Sequence, residues 1–136
     1  FDHRHLKLEL DIPDIETAAF SATATLTTAA VGSPQSRLVL DARAPLSFTA
    51  VTVNGAPAAF SRTAGDDGLL KIVVEPAEPF APGVEATVVL RYTAEKPYKD
   101  GSGLNWFKTR RGEDGQQSRQ GAIVYSQGQS NFNSLW

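Results

Sequence analysis

The sequence contains no cysteine. That excludes a disulfide framework, a thiolate zinc site and a cysteine nucleophile, and leaves the cellular compartment open. No apolar run approaches the roughly 18 residues that a membrane-crossing helix needs. The sequence does not open at Phe1 with a charged-then-apolar leader but directly on a strand-like pattern. A trimmed or mature piece of a longer protein would begin in this way. An excess of one charge is missing too. The formal net charge is -2, which points to neither nucleic acid nor an anionic membrane as partner. There is no P-loop, no G-x-G-x-x-G and no G-x-S-x-G, so phosphate cradles and a serine nucleophile elbow are excluded by pattern. A helical period sustained over about 12 residues is also lacking.

What is present reads as strands. The 136 residues, 41% of them hydrophobic, suffice for one domain with a core and are too few for two. His5 to Ile12 alternates strictly, with Leu6, Leu8, Leu10 and Ile12 on one face and Lys7, Glu9 and Asp11 on the other. Phe20 to Thr28 repeats the period, with Phe20, Ala22, Ala24 and Leu26 inside. Its threonines favour the pleat because their branched carbons are stiff. Leu38 to Leu40, Leu46 to Val53, Leu69 to Val74, Glu85 to Tyr92 and Leu104 to Phe107 are further strands. Asn54-Gly55 suits the positive-φ pair of a type I′ turn, so Val51 to Val53 and Ala56 to Phe60 should form a hairpin with Pro57 at an edge or bulge. Residues 108–120 should be a mobile excursion inside a later hairpin. About eight short strands separated by turn signals predict an all-β, antiparallel or mixed sandwich or saddle over residues 1–136.

Chemistry-bearing clusters are few. His3 and His5 are the only histidines. Two apart on a strand, they are expected to share the face opposite the leucines. A metal site would need a third ligand, and free surface histidines are the other reading. Asp66 and Asp67 sit in a Gly-bounded turn with no further ligand at calcium-loop spacing. Arg110-Arg111 is a small basic spot in a polar loop. No catalytic set is visible, so the chain alone reads as non-enzymatic.

The C-terminal stretch differs. Ala122 to Ser126 is a strand, with Ile123 and Tyr125 on one face and Val124 and Ser126 on the other. It runs into Gln127-Gly128-Gln129. Two carboxamides, each with two donors and an acceptor oxygen, then flank a residue that lets the backbone bend or approach closely. Such an arrangement suits the polar end of a ligand; an ordinary polar exit from the strand would look the same.

The order of landmarks resembles a known family. Leu6 to Asp11 comes first, then Leu38 to Ala42, then Val51 to Gly55. A Pro-Gly turn precedes Val88 to Tyr92, Gly101-Ser102-Gly103-Leu104 follows, and Tyr125-Ser126-Gln127-Gly128-Gln129 runs into Leu135-Trp136. This is similar to the amino-terminal domain of the aminopeptidase N family of zinc metallopeptidases, which also contains leukotriene-A hydrolase. The likeness covers essentially the whole chain, and the Gln-Gly-Gln exit is its specific part.

The resemblance implies a β-rich domain packed against a catalytic domain that carries an H-E-x-x-H zinc site. Zinc would belong to the parent enzyme and be bound outside this chain. Gln127 would line the pocket for the first side chain of a peptide substrate. Gln129 would help to bind the peptide's free α-amine, and Gly128 would let the backbone come close. Many relatives carry Glu where this chain has Gln129, whereas leukotriene-A hydrolase-like members carry Gln. The resemblance also implies that the chain stops short of its catalytic domain, leaving Phe132, Leu135 and Trp136 exposed, disordered or buried in a neighbouring copy. Self-association through that edge is then expected. Two other readings fit the residues. One is an interaction or scaffold module from a relative that has lost its zinc. The other is a carbohydrate-binding sandwich using Tyr98, Trp106 and Tyr125.

Overall fold

The computed structural model describes residues 1–14, 17, 19–42, 46–66 and 70–95, together with the backbone of 104–108 and 122–126. The strands are β1 (Asp2–Asp11), β2 (Ala19–Ala29), β3 (Leu38–Asp41), β4 (Leu46–Val53), β5 (Ala56–Pro57), β6 (Ala59–Ala64), β7 (Leu70–Glu75), β8 (Glu85–Glu95), β9 (Leu104–Lys108) and β10 (Ala122–Ser126). No helix occurs among the described residues. A five-stranded sheet runs β1-β2-β8-β4-β5, a three-stranded sheet runs β3-β7-β6, and β9 pairs with β10. Every strand pair is antiparallel. The architecture is the expected all-β sandwich.

Strict alternation builds the core. On β2, Phe20, Ala22, Ala24 and Leu26 are buried, and on β8, Val88, Leu90, Tyr92 and Ala94. The register sets Ala22 beside Tyr92, Ala24 beside Leu90 and Leu26 beside Val88, so one face of the larger sheet is continuously apolar. Leu38, Ile72 and Val74 of the smaller sheet pack onto it, and all three are essentially inaccessible to water. Polar ties close the edges of this layer pair. Lys71 Nζ lies 2.6 Å from Asp41 Oδ1 across the β7–β3 pair. Arg62 of β6 donates to the carbonyls of Ala42 and Leu46, at 2.6 and 2.5 Å, and so joins the end of β3 to the start of β4.

The Asn-Gly turn forms as expected, with φ of 51° at Asn54 and 82° at Gly55. Asn54 also docks the turn on β8. Its amide donates to the Thr87 carbonyl at 2.8 Å, and its Oδ1 accepts from the Thr87 amide at 2.9 Å. The strand after the turn departs from expectation. Instead of continuing from Ala56 to Phe60, it stays on β4 only for Ala56 and Pro57, then resumes as β6 in the other sheet. The chain changes sheets at Ala58, whose amide donates to Val51 at 3.0 Å. Pro57 therefore stands on a sheet edge, where its missing N–H does no harm.

The first strand holds two surprises. A bulge between His3 and His5 leaves Arg4 without a partner on β2. The extra residue reverses the alternation, so the two histidines do not share a face. His3 lies opposite buried Thr28 on the core side, while His5 lies opposite Thr27 on the other side. Leu6, Leu8 and Leu10 pair with Leu26, Ala24 and Ala22 on the apolar face as expected. Yet Leu6 is 51% and Leu10 39% exposed, and only Leu8 and Ile12 pack partly against the core.

Two substitutions test this packing. Leu38→Ala should destabilise the fold by about 2–5 kcal/mol, because a fully buried leucine leaves a cavity. Gly55→Ala should cost roughly 1–2 kcal/mol from the left-handed backbone alone, since an added Cβ meets nothing within 4 Å. Urea titrations followed by tryptophan-independent far-UV dichroism would measure both.

Candidate functional site

The expected substrate-binding loop, Gln127-Gly128-Gln129, lies outside the described residues, as do Phe132, Leu135 and Trp136. What is described is the hairpin that leads to it. Ala122 pairs with Lys108, Val124 with Trp106, and Ser126, which directly precedes Gln127, with Leu104. The strand expected over Ala122 to Ser126 is therefore present, and so is the hairpin expected around the long polar connection. That connection, with Arg110 and Arg111, also lies outside the described residues. Two of the aromatic residues named for the carbohydrate-binding reading lie on this hairpin. In the register Trp106 pairs with Val124 and Tyr125 with Asn105. Tyr98 lies outside the described residues.

Among the described residues, the main concavity is an open cleft of about 610 Å³ where the smaller sheet fails to reach β1. Leu6 and Leu8 form one wall, Val39 and Leu40 another, and Phe48 and Tyr92 lie in its lining. Tyr92 packs edge-on against Phe20, with ring centres 6.4 Å apart, and tilted against Phe48 at 5.4 Å. Among the described residues, the buried hydroxyl of Tyr92 has no hydrogen-bond partner. Burial pushes its pKa up to about 12, because a phenolate would have to form away from water. Even positions on β8 all face inward, so Tyr92's place in the core was readable from the alternation; its unpartnered hydroxyl was not.

His3 closes one end of the cleft. Thr28 Oγ1 donates to the Asp2 carbonyl at 3.2 Å and lies 2.9 Å from His3 Nδ1. A hydroxyl has a single proton, so it can only accept from the ring. The network thus assigns the proton to Nδ1 and leaves Nε2 as an acceptor. Burial, aided by the nearby α-amino group and opposed by Asp2, holds His3 below the ordinary histidine pKa. On the opposite face, Arg4 meets Asp2 at 3.1 Å and reaches across β2 to Glu85 at 2.6 Å. A second, more open groove of about 500 Å³, towards the other end of β1, is lined by Glu9, Asp11, Thr49 and Arg91, among others.

These groups offer an apolar cleft and surface ion pairs. Among the described residues no three of His, Asp or Glu gather where they could hold a metal ion. The described residues therefore do not fit zinc, and no step can be derived through it here.

Several solved structures share the fold. An M1 zinc metallopeptidase from Deinococcus radiodurans matches with a TM-score of 0.61 at 28% identity, over 77% of this chain and 25% of that one. A mutant of it bound to a Tyr-Ser-Ala substrate matches with a TM-score of 0.62 at 26% identity, over 77% of this chain and 25% of that one. The native yeast LTA4 hydrolase matches with a TM-score of 0.70 over 99% of this chain and 20% of that one. At 19% identity that last likeness speaks for the fold alone. No protein-family model and no curated protein matches the sequence. The chain spans about a quarter of the length of the metallopeptidases it matches. The chain is thus similar in fold and, at 26–28% identity, in sequence to part of an M1 zinc metallopeptidase.

Two measurements probe the cleft. His3 is harder to protonate in the fold than in the unfolded chain, so its contribution is complete above its ordinary pKa of 6.5 and declines as the pH falls through it. Thermal melts at about pH 7.5 and about pH 5 should show wild type losing more stability on acidification than His3→Gln does. Tyr92→Phe should stabilise the fold by about 1 kcal/mol, since it removes an unpaired buried hydroxyl; denaturant titration would measure it.

Proposed function

We propose that this chain is the non-catalytic amino-terminal domain of a zinc aminopeptidase. In this reading it supplies Gln127-Gly128-Gln129 to the wall of an active site built by a separate catalytic domain of the parent protein. That catalytic domain would hold the zinc and hydrolyse the peptide bond. The supporting observation is the match to a metallopeptidase with a Tyr-Ser-Ala substrate bound, over 77% of this chain. β10 leads towards these residues, since Ser126, its last described residue, directly precedes Gln127.

The chemistry of the loop follows from its donors and acceptors. A peptide amino terminus is an ammonium with three N–H donors. The Gln129 carboxamide oxygen accepts one of them, as a neutral acceptor. A carboxylate at that position would make a charge-assisted bond about twice as strong. Gln129 therefore orients the amine, and most of the attraction for its charge comes from groups on the catalytic domain. Gln127 has two donors and one acceptor for the first residue of the substrate, and Gly128 keeps side-chain bulk away from it.

Steady-state kinetics of the parent enzyme on an aminoacyl substrate provide the test. Gln129→Ala should lower kcat/KM by roughly tenfold, the equivalent of one hydrogen bond of about 1.4 kcal/mol. Gln129→Glu should retain or exceed the wild-type value, and should sharpen discrimination against an N-acetylated substrate. Unchanged kinetics in both variants would remove the loop from the active site.

A further inference from the structure

The first strand carries a second surface, independent of the peptidase reading. β1 has β2 on one side and, among the described residues, no strand on the other. Natural edges are usually blunted by inward-pointing charges, bulges or proline. On β1 the bulge at Arg4 ends the irregular part, and from His5 to Asp11 the register is unbroken. Over those positions leucines, not charges, point to the core side, and Leu6 and Leu10 remain exposed there. On the other side stand His5, Lys7, Glu9 and Asp11, with Lys7 Nζ 2.9 Å from Glu9 Oε1 along the strand.

We propose that this edge pairs with the same edge of a second copy, antiparallel, about a two-fold axis through Leu8. The charge pattern selects the register. A two-fold axis normal to the sheet keeps both leucine rows on one face, so it must pass through a residue. An axis at Lys7 sets lysine against lysine, and one at Glu9 sets glutamate against glutamate. An axis at Leu6 sets Lys7 against His5. At Leu8 every pair is complementary. Lys7 meets Glu9 of the second copy twice over, and His5 meets Asp11 of the second copy. Leu6 meets Leu10 of the second copy, and the two Leu8 side chains meet each other. Leu8 is also the midpoint of the unbroken run from His5 to Asp11. The pairing joins two five-stranded sheets into one continuous sheet, and it covers the two exposed leucines with their counterparts. Opposed apolar and oppositely charged cross-strand pairs are each favourable, whereas like charges directly opposite are not.

Sedimentation equilibrium on the 136-residue chain over a wide concentration range provides the test. Wild type is expected to show a reversible monomer–dimer equilibrium. Glu9→Lys should weaken it by at least about tenfold, because two attractive pairs become two repulsive ones. The exchange K7E/E9K restores both pairs with their signs reversed and should return the dimer to near wild-type strength. Melting temperatures at low concentration separate association from folding in each variant. A strict monomer overturns the proposal. So does a dimer insensitive to Glu9→Lys, or one that K7E/E9K fails to restore. A monomer whose β1 amides resist hydrogen exchange would show the edge covered by the chain's own residues, and this too refutes the pairing.

Discussion

Two sheets of unequal width share one core, and the mismatch decides which apolar side chains stay in water. The larger sheet presents five strands and the smaller one three. β2, β8 and β4 find partners across the layer, so Leu26, Val88 and Val51 are buried. β1 stands at the rim and, among the described residues, finds little cover beyond partial packing of Leu8 and Ile12, so Leu6 and Leu10 remain exposed although their register points them inward. Each fully buried leucine contributes on the order of 2 kcal/mol relative to exposure. The uncovered side chains of β1 forgo part of that gain. The cleft, the solvated Leu6 and Leu10 and the open strand edge share this single cause.

The polar ties stand where the layers meet or end. Arg62 binds carbonyls on both sides of the β3–β4 connection and lies over Phe48, with the guanidinium carbon 6.0 Å from the ring centre. Asn54 clamps the turn to β8, and Thr28 ties β2 to the start of β1. Thr28 is fully buried, yet its hydroxyl has partners on both sides, so it avoids the penalty of an unpaired polar group. Tyr92 is the contrast. Its ring gains from two aromatic neighbours while its hydroxyl gains nothing. Two aromatic contacts of about 0.5–1.5 kcal/mol each roughly offset an unpaired hydroxyl of about 1–3 kcal/mol.

Much of this was legible in the sequence, because alternation and turn chemistry are local. Phe20 to Leu26 and Val88 to Tyr92 announce their buried faces by period alone. Asn54-Gly55 announces its turn because few other pairs accept two positive φ angles. Three features were not legible, and each depends on distant residues or on a single insertion. The bulge at Arg4 leaves no mark on the pattern of polar and apolar residues around it, so His3 and His5 read as neighbours on one face. The change of sheet at Ala58 is set by which strands are free to accept β6, not by Ala58 itself. The exposure of Leu6 and Leu10 follows from the width of the opposite sheet. As for the candidate site, its leading strand was legible, while Gln127 to Gln129 lie outside the described residues.

The division of labour in the proposed function follows from what the described residues are already engaged in. His3 is tied to Thr28, and the bulge sets His5 on the other face, so the two imidazoles cannot act together on one substrate. Arg4, Lys7 and Lys71 are paired with carboxylates on their own sheets. With these described residues engaged on their own sheets, the contribution in the proposed reading is position. A carboxamide can fill that role without a charge. It offers direction without charge, and so it would neither act as a rival ligand for a metal nor shift the pKa of a neighbouring base. Under this reading Gln129 trades affinity for the ammonium against neutrality beside a zinc centre. The strength of substrate binding then rests with the catalytic domain, and the orientation of the amino end with the sheet-borne loop.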